Sequence, residues 1–279
     1  MIHRVTQSAP RMSGRRAIGP LLLMATAFAC GATADRSDET GAALATQDTV
    51  GPAAPPGAPG RAFPSPTRPV ADIVAPRWSD EDDRDDAGEF DRVVTVARIG
   101  TGQRIADVGA GDGYYVTRLS PLVGATGQVF GQDIVPDYLA MLQRRVRRDG
   151  LRNVQVVRGD AHDPRLPAAS VDIALMIHMY HEIEQPFALL WNLATALRPG
   201  GRLVILDLDR PTYGHGTPPA LLRCELASVG YRQQSFTTTA PAEYVAVFIA
   251  PDSAARPTPA AISSGLRRAP CHSPGDDSR

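Results

Sequence analysis

The stretch Arg104-Ile-Ala-Asp107-Val108-Gly109-Ala110-Gly111-Asp112-Gly113-Tyr114 limits the possible folds more than any other part of the chain. A short apolar run breaks at three alternating glycines, and apolar residues resume at helical spacing as far as Leu122. This reads as strand, tight turn and helix. Glycine permits the turn and lets a ligand approach bare backbone. In an open parallel sheet such a turn stands at the carboxyl ends of the strands, where ligands bind. The dinucleotide motif Gly-x-Gly-x-x-Gly requires a third glycine where this chain has Tyr114. That weighs against a nicotinamide-dependent oxidoreductase, which is kept as the lesser alternative.

The alternation continues downstream. Strands are predicted at Arg104–Val108, Gln128–Gln132, Val154–Arg158, Val171–Ile177 and Arg202–Leu208, then at Tyr231–Thr238 and Tyr244–Ile249. Helices are predicted at Gly113–Leu122, Pro136–Arg148, Gln185–Leu197 and Pro219–Val229. Near-continuous apolar strands alternating with helices predict an α/β fold, a mostly parallel sheet covered on both faces. Upstream, Ser79-Asp-Glu-Asp82 has the pattern of a capping box opening an added N-terminal helix. Its many acids suit the positive end of a helix dipole. Phe90, Val93, Val94 and Ala97 give that helix an apolar stripe, and it is a candidate lid over the site.

The ends of the chain read differently. Residues 1–16 carry four Arg and no acid, and a thirteen-residue apolar run from Ala17 to Ala29 follows. About 20 Å of helix is too short for a bilayer core of about 30 Å and fits an export signal. Ala27-Phe-Ala29-Cys30-Gly31 resembles the lipidation box of bacterial lipoproteins, which makes Cys30 a candidate lipid acceptor and membrane attachment point. Residues 31–76 are rich in Pro and Ala and predict a disordered tether, 77–251 the folded domain, and 252–279 a disordered tail. The expected location is the cell envelope, or the cytoplasm if the true start lies downstream. Cys30, Cys224 and Cys271 are far apart, and no disulfide framework or zinc site is predicted from them. Cys224 is expected in the core and Cys271 in the tail. A net charge of −1 excludes a general polyanion binder. Arg144, Arg145, Arg147 and Arg148 read as a solvated helix end, so no nucleic-acid partner is predicted.

Three strand ends sharpen the ligand. Asp107 precedes the glycine turn, Asp133 ends Val129-Phe-Gly-Gln-Asp133, and Asp160 follows Arg158-Gly159. A carboxylate at Asp133 can accept two ribose hydroxyls. Together with Leu197-Arg-Pro199-Gly200-Gly201, these motifs resemble class I S-adenosylmethionine (SAM)-dependent methyltransferases of the small-molecule type, over roughly Asp91–Pro251. The resemblance implies a Rossmann-like three-layer sandwich with a seven-stranded sheet in the order 3-2-1-4-5-7-6, strand 7 antiparallel. It also implies SAM as cofactor, held by Asp107, Gly109, Ala110, Gly111, Gly113, Tyr114, Asp133, Ile134, Asp160, Ala161 and Ile177.

The reaction is read from Ile177-His178-Met179-Tyr180-His181-Glu182, which resembles the fourth strand end and following loop of that family. Histidine is the side chain whose unperturbed imidazole changes charge near neutrality, so His178 and His181 could take a proton from an acceptor, and Tyr180 could orient one. His162, His178, His181 and Glu182 have a spacing that permits a metal, but none is assigned. The expected activity is methyl transfer to a small molecule. The alternative from another class is an envelope module that binds SAM or a nucleoside without chemistry. Oligomeric state is not predicted.

Overall fold

The β-branched and aliphatic runs seen in the sequence form strands because each can be buried on both sheet faces. The computed structural model describes residues 53–73 and 80–272. The export signal, Cys30 and Ser79 therefore lie outside the described residues. The strands are β1 (Arg104–Val108), β2 (Gln128–Asp133), β3 (Val154–Arg158), β4 (Val171–Ile177), β5 (Leu197–Leu208), β6 (Arg232–Ala240) and β7 (Glu243–Ile249). They form one seven-stranded sheet in the order β3-β2-β1-β4-β5-β7-β6, the order expected. Pairing is parallel from β3 to β5, and β7 runs antiparallel to both β5 and β6.

Among the described residues the helices are α1 (Glu81–Asp86), α2 (Glu89–Ala97), α3 (Tyr114–Val123), α4 (Pro136–Arg148), α5 (Pro186–Ala196), α6 (Pro219–Ser228) and α7 (Pro259–Arg268). Alternate strand residues serve opposite faces. On one face Ile173 and Leu175 of β4 join Val93, Val116, Leu119 and Leu142 from α2, α3 and α4. On the other, Ala174 and Met176 join Phe187, Leu190 and Leu226 from α5 and α6. Neighbours diverge after β1: β2 lies on one side of it and β4 on the other. That switch point opens the crevice in which the glycine turn sits.

Two expected elements change. The single acidic helix is two, because Gly88 takes a left-handed conformation (φ 65°) between α1 and α2. The cap is Asp80, whose side chain accepts from Asp82 N, in place of the expected Ser79. Strand β5 begins at Leu197, opposite Val171, and its register jumps to Arg202 opposite Ile173 through the turn at Gly200.

The tether and the tail need larger corrections. Prolines do prevent regular structure over most of residues 53–73, but they leave an extended chain whose backbone meets fixed partners. Gly57 N donates to Asp163 Oδ2 (2.7 Å) and Ala58 N to Asn192 Oδ1 (2.9 Å). Arg68 is buried. Its Nε donates to Glu225 Oε1 at 3.0 Å, and its two Nη atoms donate to the carbonyls of Tyr180, His181 and Ile183, each at 3.3 Å. Composition alone could not show that one arginine satisfies three loop carbonyls and one buried acid.

The described part of the tail, residues 252–272, is likewise folded. Thr258 caps α7, Ile262 is buried, and Arg256 stacks on Trp191 with its guanidinium 3.6 Å from the ring centroid. Cys224 and Cys271 form a disulfide, contrary to expectation, with Cα atoms 5.5 Å apart and a sequence separation of 47 positions. A loop of that length removes on the order of 4 kcal/mol of chain entropy from the unfolded state. Separation in sequence hid the pair, because only α6 and α7 packing together brings the two cysteines into range.

Breaking a buried ion pair by deleting one partner typically costs about 3–5 kcal/mol. Arg68→Ala should therefore lower the unfolding free energy in urea by that order, while Arg61→Ala, at an exposed position of the same segment, should leave it within about 0.5 kcal/mol. Equal effects from the two substitutions would contradict a docked segment.

Candidate active site

The site is built from the ends of β1, β2 and β4. They open onto a cavity of about 620 Å³, within the range of small-molecule sites. Asp107, Gly109, Ala110, Gly111, Tyr114, Asp133, Ile134, Asp160, Ala161, Ile177 and His178 all line it. The structure thus brings together most residues that the sequence nominated.

Gly109 is left-handed (φ 76°), and a Cβ there would come within 3.1 Å of the Met179 side chain. Gly113 is left-handed too (φ 98°), but a Cβ there would sit 2.5 Å from Leu142 Cδ1. Gly113 is absent from the cavity lining, so its role is to let α3 and α4 approach rather than to touch a ligand.

The two acids at adjacent strand ends differ in support. Asp133 Oδ2 accepts from Gly111 N (2.9 Å), and Oδ1 accepts from Ile134 N (2.7 Å) and Val135 N (2.9 Å). This fixes the carboxylate and still leaves lone pairs toward the cavity. Burial raises its pKa above the usual carboxylate value, and the three amides offset part of that rise. Asp107 is fully desolvated, which pushes it up to about 7; Arg84 offsets part of this and the neighbouring Asp133 adds to it. A carboxyl in that state gains most from a ligand that brings a positive charge. Asp160 stands at the exposed mouth, 3.0 Å from Arg165 Nη1.

The acidic segment that the sequence offered as a lid is held down by ion pairs. Glu81 meets Arg145 (2.5 Å) and Arg118 (3.1 Å), and Asp85 meets Arg118 and the Tyr114 hydroxyl. Arg84 lies over the Tyr114 ring at 3.8 Å and lines the cavity. Its partner Glu89 is buried, accepting from Arg84 Nη2 (2.6 Å) and the Tyr115 hydroxyl (2.9 Å). Burial opposes the charge on Glu89, but His178 and Arg84 hold its pKa down to about 2. Arg84, Glu89 and Tyr115 were not nominated from the sequence. Their signal was hidden because an acid-rich helix start already had a local explanation.

The three nominated catalytic groups separate. His178 lines the cavity, its backbone is left-handed (φ 52°), and its Nε2 is 3.4 Å from Glu89 Oε2, an ion-pair distance rather than an aligned hydrogen bond. Tyr180 does not line it. That side chain is fully buried, with its hydroxyl donating to Glu225 Oε2 at 2.9 Å. His181 is also buried off the cavity, with Nδ1 3.1 Å from Asp207 Oδ1. The short 3-10 turn Tyr180–Glu182 rotates both inward, a change of direction that residue spacing did not reveal.

The sheet order sets the glycine turn at its switch point, with an acid at or next to the end of each of the first two strands. Residues 106–205 match the family model described as a methyltransferase domain. Among curated relatives, the chain is 34% identical over 123 residues to a ubiquinone/menaquinone biosynthesis C-methyltransferase from Coxiella burnetii, covering 44% of this chain and 49% of the relative. It is 30% identical over 130 residues to an aklanonic acid methyltransferase from a Streptomyces species, covering 47% and 58%. The chain thus spans about half the length of the curated relatives it matches. A SAM-dependent methyltransferase from Aquifex aeolicus superimposes with a TM-score of 0.55 at 22% identity, covering 62% of this chain and all of that one (100%). A protein from Pyrococcus horikoshii gives 0.53 at 13% identity, covering 64% and 97%. These two likenesses concern the fold.

The residues fit the cofactor. Asp107 can receive the ammonium of its amino-acid end, Asp133 the ribose hydroxyls, and Ile134 offers an apolar surface to the adenine. Pairing with a cation lowers the pKa of Asp107, so binding must expel a proton whenever Asp107 is protonated in the free protein. Below about pH 7 the affinity for SAM should therefore fall, by up to roughly tenfold per pH unit. Calorimetry between pH 5.5 and 8 should show this slope, and Asp107→Asn should bind weakly with the slope flattened. A pH-independent affinity in the wild type would contradict the assignment.

Proposed function

We propose that the chain transfers a methyl group from SAM to a small-molecule acceptor in the cell envelope. The observation that carries this reading is the desolvated Asp107 beside the amide-fixed Asp133, at one end of a cavity that continues past Ile177 to His178. When bound, SAM supplies an already activated methyl group, so the protein's task is alignment and exclusion of water. The cavity lining also includes Val70, Ala71, Tyr138, Met179 and Ile183, which suit an acceptor with a substantial hydrocarbon part. The names of the two curated relatives, one of ubiquinone/menaquinone biosynthesis and one of aklanonic acid, support the same acceptor class.

His178 is the group placed to take the proton that the acceptor loses as its new bond to carbon forms. Glu89 is its positioning partner: an anion held low in pKa beside the imidazole stabilises the protonated state that results. Envelope location rests on the basic and apolar segment before Cys30. The Cys224–Cys271 disulfide supports it, since such bonds persist mainly in oxidising compartments. No helix among the described residues is long and apolar enough to cross a membrane. Attachment is assigned to a lipid on Cys30, on the resemblance of Ala27-Phe-Ala29-Cys30-Gly31 to a lipidation box.

Full-length protein incubated with methyl-labelled SAM and a lipid extract of the cell envelope should label a small organic molecule. His178→Gln should lower that rate by roughly 100- to 10,000-fold while leaving SAM affinity within a factor of about two. Tight SAM binding without a labelled acceptor in any extract would favour a binding module. An unaffected rate in His178→Gln would remove the proposed base.

A further inference from the structure

Beside the cavity, the loop after β5 folds back onto the residues that follow β4 and places three metal-binding side chains together. They are His181, Glu182 and His215. One ligand atom from each lies within 4.8 Å of those from the other two. Nothing in residue spacing pairs His215 with residues more than thirty positions earlier.

His181 is prepared for this role by the carboxylate behind it. Asp207, at the end of β5, is fully buried, and its oxygens lie 3.1 and 3.2 Å from His181 Nδ1. Asp207 is itself fixed, accepting from Leu208 N (2.8 Å) and from the Thr217 hydroxyl (2.7 Å). An ionised carboxylate only accepts, so the His181 proton sits on Nδ1 and the Nε2 lone pair faces away from Asp207. There it lies 4.0 Å from Glu182 Oε1. This carboxylate–imidazole arrangement is the one that orients metal-ligating histidines.

His215 completes the set. Its ring stands edge-on to that of His181, with centroids 5.5 Å apart. Its Nδ1 is shielded from solvent and has no hydrogen-bond partner among the described residues. A shielded, unpaired imidazole nitrogen is costly unless something binds it. Tetrahedral zinc holds ligand atoms roughly 3.3 Å apart, so the cluster would need to close by up to about 1.5 Å. Glu182 and His215 are not fully buried and can make that movement around the fixed His181.

We propose that His181 Nε2, Glu182 and His215 form a divalent transition-metal site of the zinc class. Two imidazoles and one carboxylate favour zinc or cobalt over magnesium or calcium, which prefer all-oxygen shells. Three protein ligands leave a fourth position open. Glu182 also lines the cavity, so the ion borders the space assigned to the acceptor. The site depends on the ligand geometry alone and stands whether or not the chain transfers methyl groups.

Chelator-treated, untagged full-length protein titrated with Co²⁺ should develop the visible absorption of four-coordinate cobalt at one ion per chain. Zn²⁺ should abolish the signal by displacement, and thermal unfolding should shift upward with Zn²⁺. Losing even an outer-sphere partner costs roughly 10–100-fold in affinity, so Glu182→Gln and His215→Asn should each lose more than that. Asparagine tolerates the left-handed backbone of His215 (φ 57°), which keeps the loop intact. Both variants should unfold at the wild-type temperature without metal. His162→Ala should bind cobalt as the wild type does. Binding that survives both ligand substitutions, or its absence from the wild type below millimolar cobalt, would overturn the proposal.

Discussion

Burying two carboxylates side by side is the constraint around which this site is organised. Asp107 and Asp133 stand among the last paired positions of neighbouring parallel strands, Asp107 one residue before the end of β1 and Asp133 at the end of β2. In so dry a position each carboxylate needs compensation. Asp133 has it from three backbone amides of the glycine turn and the start of α4. Asp107 is offset only in part by Arg84, which leaves its pKa near 7. The free protein thus holds an anion site that is incomplete until a cationic ligand arrives.

The surroundings follow from that need. Arg84 reaches the crevice only because α1 and α2 are pinned by Arg118, Arg145 and Tyr115. These helices in turn carry Glu89 to His178, linking the cofactor end of the cavity to the reacting end. On the opposite side, Arg68 crosses from the proline-rich segment to tie down the carbonyls of the Tyr180–Glu182 turn. The cavity wall therefore includes residues from a stretch whose composition reads as linker.

What the sequence disclosed and what it concealed have a common physical explanation. Strand and helix periodicity is a local record of burial, so β1, β3, β4 and α4 were readable to the residue, and Asp107, Asp133 and Asp160 fell at strand ends as motif spacing required. Features that arise only on tertiary contact were not readable. Cys224 and Cys271 meet through the packing of α7, Arg68 finds Glu225 across 157 positions, and His215 returns to His181 over a loop. The direction of a side chain within a short turn belongs to the same group. Tyr180 and His181 share a motif with His178, yet the 3-10 turn sends them into the core, and only His178 faces the cavity.

The most direct test is a structure of the full-length protein crystallised with S-adenosylhomocysteine. The account predicts its amino group on Asp107, its ribose hydroxyls on Asp133, and its sulfur on the His178 side of the cavity. A ligand seated with its ribose away from Asp133, or a cavity that accepts a nicotinamide nucleotide in its place, would contradict it.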